Sequence, residues 1–161
     1  GEAGVSKLTM RCRITGGKEI QRKLSLLPRE IAAGPMRDVT VMGGDMLKGY
    51  AVANATAIKK TGTLAGDIHA ELDKKETVGV RVTVKVGPGK KGWYGRLVER
   101  GHKIKVGRTA LGSDGRRKVI YDDAGEVPPH PWLRPALDNN RETIKKAMAA
   151  EMERRLKQWF G

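Results

Sequence analysis

Residues 76–88 read ETVGVRVTVKVGP, and valine stands at every second position from Val78 to Val86. Successive strand side chains point to opposite faces, so this spacing gathers the valines on one side and leaves Arg81 and Lys85 on the other. The pattern predicts a strand over 77–87 with its valine face buried and its basic residues outward.

Upstream, Gly16 and Gly17 signal a turn, Ile20, Leu24 and Leu27 follow at helical spacing, and Pro28 interrupts them, which predicts a short helix. From Pro35 to about Ile58, Val39, Met42, Met46, Tyr50, Ala53 and Ala57 recur at intervals of three or four residues, predicting an amphipathic helix with those residues as its apolar face. Gly43, Gly44 and Gly49 weaken that helix by about 1 kcal/mol each relative to alanine. Either they admit a neighbouring backbone closely or they are simply poor helix residues.

Downstream, GPGKKG (87–92) is a turn and WYGRLVERG (93–101) a short helix or extended segment ending at Gly101. Two short strands, 102–107 and 117–122, joined through Asp114-Gly115, predict a basic hairpin. Leu137, Ile144, Met148, Met152, Leu156 and Phe160 then mark a long amphipathic helix to the C-terminus. Before it, PPHPWLRPALD (128–138) supplies rigidity: Pro131 suits a first helical turn, where its missing N–H costs nothing, and Pro135 is tolerated if it too lies in that turn. Trp132 and Leu133 are expected to anchor this turn on the sheet. The expected fold is α+β: a mainly antiparallel sheet with a projecting basic hairpin, packed against a central helix and a long C-terminal helix. One domain over 1–161 is expected, with 102–125 as a basic extension within it.

The 161 residues carry a net charge of +14. Residues 76–121 hold +9 of it, while 122–161 sum to zero, so nucleic acid or an acidic protein surface is the natural partner of the central block. Cys12 is the single cysteine, which leaves no intrachain disulfide and no cysteine pair for a metal. No apolar run approaches a membrane span, so the expectation is a soluble protein assembled inside the cell. His69, His102 and His130 are separated in sequence, and GPGKKG lacks the spacing of a phosphate loop. No catalytic residue, metal site or cofactor is predicted.

Four blocks in order carry a resemblance: ITGGKEIQRKLSLLP (14–28), KKTGTLAGDIH (59–69), WYGRLVERGHK (93–103) and HPWLRPALD (130–138). Together with the terminal helix they resemble the minor tail, or tail-completion, proteins of long-tailed phages. Gly95, Trp132 and His102 depart from that pattern, as does the long basic segment between the third and fourth blocks. The resemblance implies a non-enzymatic virion protein assembled in the host cytoplasm. It would form a ring of six subunits at the head–tail junction, between tail terminator or tail tube and head-closure connector, with the genome in its lumen.

Glu99 and Arg134 are the charged members of two otherwise small or apolar blocks, and they are expected to pair, within one chain or between chains, through a bidentate contact. Gly101, Pro131, Trp132 and Pro135 complete this structural group. Lys85, Lys90, Lys91, Lys103, Lys105, Arg108, Arg116, Arg117 and Lys118 could line a lumen and touch DNA, could plug into an acidic neighbouring ring, or could be solvated. Docking on the ring is favoured, because a channel for sliding DNA gains nothing from tight phosphate binding. A small basic nucleic-acid-binding protein is the alternative, set against few aromatic stacking residues and no recognition motif.

Overall fold

The computed structural model describes residues 22, 26, 29–58, 62–77 and 81–160. The helix predicted before Pro28 falls outside them except at residues 22 and 26, as do Val78 and Val80. Among the described residues the order is α1 (Arg29–Ala57), α2 (Thr63–Gly66), β1 (Ile68–Leu72), β2 (Val84–Pro88), α3 (Gly95–Arg100), β3 (His102–Leu111), β4 (Arg117–Val127) and α4 (Leu133–Phe160). The fold is α+β, and among the described residues the antiparallel strands divide into two two-stranded sheets, β1–β2 and β3–β4, rather than one. The chain separates into two compact units, one running to Trp93 and resuming at Trp132, the other Tyr94–Pro131.

In the first unit the strand expected over 77–87 spans Val84–Pro88, and Val82, Val84 and Val86 are buried as the alternation predicts where it is described, but the intervening Thr83 is buried too. Its partner strand, β1, escaped the sequence reading, because IHAEL is five residues long and carries His69 and Glu71. Pairing runs from Ile68 opposite Pro88 to Leu72 opposite Val84. Lys85 does not simply face water: its Nζ lies 2.5 Å from Asp73 Oδ2. That ammonium, with the Lys75 and Glu76 N–H groups, holds the Asp73 carboxyl below the usual carboxylate range.

Helix α1 begins before Pro35, which lies inside it and deprives the Ile31 carbonyl of its usual donor. Its buried face is also not the one hydropathy selects. Val39 is buried, but Met42, Met46 and Tyr50 are only half-buried and Ala53 and Ala57 are exposed. The buried row is Pro35, Val39, Thr40, Gly43, Gly44, Leu47, Ala51 and Ala55. Small residues win this face because neighbours come close. A Cβ on Gly43 would overlap the thioether of Met148 in α4, and one on Gly44 would stand 2.5 Å from Val84 Cγ1 in β2. Gly49 has nothing within 4 Å, so of the three glycines only it is merely a poor helix residue.

Helix α4 buries Leu133, Ala136, Ile144, Met148, Met152 and Leu156. Its first-turn proline is Pro135, whereas Pro131 precedes the helix. Trp132 is 1% exposed, and its carbonyl accepts the side-chain N–H of Asn54 at 3.0 Å. That bond ties the start of α4 to α1. Further along, Arg155 bridges Glu151 on its own helix, at 2.8 Å, and Asp38 on α1, at 2.6 Å.

Candidate functional site

The second unit is a hairpin on a short helical stem. Helix α3 stops at Gly101, whose φ of 70° and ψ of 169° belong to a region that essentially only glycine occupies. Its missing side chain also makes room, since a Cβ there would come 2.6 Å from the Val127 carbonyl and 2.8 Å from the Pro129 nitrogen. The two ends of the hairpin therefore pass side by side, and the His130 N–H closes the stem by donating to the Val98 carbonyl at 2.8 Å. Within the stem Glu99 is 7% exposed, so it is not a solvated surface charge. Arg134 is exposed in the first turn of α4, and the two residues belong to different units.

From this stem β3 and β4 run further than the sequence predicts, to Leu111 and Val127. Their register places His102 opposite Val127 and Leu111 opposite Arg117, with Ala124 left unopposed at a bulge. The turn closes where the Gly112 N–H donates to the Arg116 carbonyl at 2.8 Å, and Gly115 takes a φ of 72°, as the Asp-Gly signal predicts.

Basic side chains are only half of what this hairpin shows. Lys103, Lys105, Arg108, Arg116, Arg117 and Lys118 are all exposed. Lys103 stands opposite Glu126 and Lys105 opposite Asp123, while Arg108 forms an ion pair with Asp122. Interleaved with them, Ile104, Val106, Leu111, Val119, Ile120 and Tyr121 make up six of the eight exposed large hydrophobic side chains among the described residues. Both faces of the ribbon share them, so neither is a core face. Lys90 and Lys91 are exposed in the turn after β2 and belong to the first unit. The basic residues are thus distributed over two units.

The turn that carries Lys90 and Lys91 is held by a residue the sequence reading passed over. Asp67, between α2 and β1, accepts the Gly92 N–H at 2.6 Å through Oδ2, and its main-chain carbonyl accepts the Gly89 N–H at 2.7 Å. His69 is therefore not isolated: its Nε2 lies 3.0 Å from Asp67 Oδ1. The signal for this arrangement was a Gly-Asp before one strand and a glycine-rich turn after its partner. Among the described residues no group of three His, Cys, Asp or Glu side chains is placed to hold a metal ion, and no helix is long and apolar enough to cross a membrane.

A family of bacteriophage tail components matches residues 18–101, just over half of the chain. The chain belongs to that family, HK97-gp10-like, whose description reads "Bacteriophage HK97-gp10, putative tail-component". No curated protein and no solved structure matches the chain. The matched stretch ends at Gly101, immediately before the hairpin.

Proposed function

We propose that this tail component is a structural, non-enzymatic protein that joins tail to head. In this reading it forms a ring of six subunits at the neck, with the tail terminator or tail tube on one side and the head-closure connector on the other. The genome passes through the lumen. The observation that carries the reading is the β3–β4 arm, exposed along both strands and set with apolar side chains among its charges.

An isolated two-stranded hairpin is marginal in water, and an exposed set of large apolar side chains is a place for a partner. The cations support a protein partner over a nucleic acid. Lys103, Lys105 and Arg108 each have a carboxylate across the strand, which spends their charge locally instead of presenting a phosphate track.

The test is the mass of the purified chain in solution, alone and mixed with tail-terminator and head-closure proteins of the same phage. A defined ring that forms with either partner, and fails to form when Val119 and Tyr121 are both changed to serine, supports the joining role. A chain that ignores both partners yet binds DNA with a steep dependence on salt would replace this reading with nucleic-acid binding.

A further inference from the structure

Strand β4 reads RKVIYDD from Arg117 to Asp123, and this run is complementary to itself. Laid antiparallel against a second copy about Ile120, it sets Ile120 opposite Ile120, Val119 opposite Tyr121, Lys118 opposite Asp122 and Arg117 opposite Asp123. Every basic residue meets an acid, and every apolar residue meets an apolar one.

The structure leaves this strand able to use that match. Sheet β3–β4 has two strands, so the outer edge of β4 has no strand beside it among the described residues. Such an edge presents unpaired N–H and C=O groups. Edge charges of a single sign repel a second strand, whereas those of β4 are of both signs, in an order that attracts their own copy.

The faces agree as well. Residues directly opposite in an antiparallel pair share a face. Arg117, Val119, Tyr121 and Asp123 share one face of the ribbon with Gly107, and Lys118, Ile120 and Asp122 share the other with Arg108. Each matched pair therefore meets on one side of the joined sheet. On the Gly107 side the cluster is already begun, because Val119 and Tyr121 come within 3.2 and 3.3 Å of where a Gly107 Cβ would stand.

Register is specified too. Moving the centre to Tyr121 would set Asp122 opposite Ile120 and Asp123 opposite Val119, losing both charge pairs. The bulge at Ala124 ends the regular strand just past Asp123.

We propose that two copies of the free chain pair through the outer edges of β4, antiparallel about Ile120, to give a four-stranded sheet in the order β3–β4–β4–β3. The pair covers the arm before a different partner takes it. This proposal does not rest on the ring: a dimer without a ring, or a ring without a dimer, separates the two.

Light scattering over a concentration series reads the mass. The parent is expected to rise from 17.6 kDa towards twice that value. R117E/K118E keeps the Arg108–Asp122 pair but turns the cross-copy contacts repulsive, and it is expected to weaken pairing by about tenfold or more. Independently, I120C in a C12S background is expected to form a disulfide-linked dimer under mild oxidation, much faster than V106C on β3 in the same background. A parent that stays monomeric throughout, an association indifferent to R117E/K118E, or equal cross-linking at the two cysteines would each overturn the proposal. Circular dichroism of every variant checks that its fold is kept, and the I120C comparison stands if the charge variant does not fold.

Discussion

The carboxylate of Asp67 holds the backbone of Gly92: Oδ2 accepts its N–H at 2.6 Å, joining the α2–β1 connection to the turn that follows β2. With His69 on the other oxygen, the carboxyl is kept below its ordinary value of 3.8, mainly by His69 and next by the Gly92 N–H. A depressed carboxyl stabilises the fold above its unfolded pKa, and that contribution is lost as pH falls through the lower folded value.

D67N should therefore unfold at a lower temperature than the parent near neutral pH, with the gap closing as the pH drops below 3.8. Melting curves across an acid series measure this. A gap that stays constant with pH would mean that the amide fails through shape rather than charge.

Gly44 and Gly49 lie on the same helix and should respond oppositely to alanine. G49A meets open space and should gain about 0.5–1 kcal/mol from helix propensity. G44A drives a methyl into Val84 and should lose about 1–3 kcal/mol. Urea unfolding of both variants decides the matter, and equal signs would show that β2 can draw back from α1.

These glycines also show where the sequence was legible. The C-terminal helix was readable, because Ile144, Met148, Met152 and Leu156 are bulky and fall on one stripe, and all four are buried. The inward valines Val82, Val84 and Val86 were readable for the same reason, through period two, but the strand's start at Val84 and the burial of Thr83 were not. The buried face of α1 was not, because hydropathy favours large side chains and close approach by Met148 and Val84 favours small ones. On the arm, the turn and the cations were plain in sequence. Its apolar residues were hidden, because alternation normally implies that one face is covered, and here both are exposed.

Glu151 is held by two arginines on its own helix, Arg154 first and Arg155 second, and its pKa falls to about 2. The sign is again that of a depressed carboxylate: the stabilisation is complete above 4.5 and fades towards pH 2. E151Q should remove that part of the acid dependence. R155K should lower the melting temperature more than R154K, because Arg155 bridges Glu151 to Asp38 on α1 while Arg154 pairs with Glu151 on its own helix. High salt should narrow both differences, since these groups lie near the surface. Equal effects of the two lysine variants would leave the Asp38 contact without weight.

Gly101 and Gly115 share a left-handed φ, near 70°, and differ in what surrounds them. A methyl at Gly115 meets nothing within 4 Å, so G115A carries conformational strain alone, about 1–2 kcal/mol. At Gly101 the same methyl would press on the Val127 carbonyl and the Pro128–Pro129 backbone, which cannot step aside as a flexible side chain can. G101A should therefore open the stem, and hydrogen exchange should show amides of 102–127 losing protection while those of α1 and α4 keep theirs. G115A should loosen only the tip. If G101A leaves the stem as protected as G115A does, the close passage of the two hairpin ends is not what holds the arm, and the Val98–His130 bond is the next contact to remove.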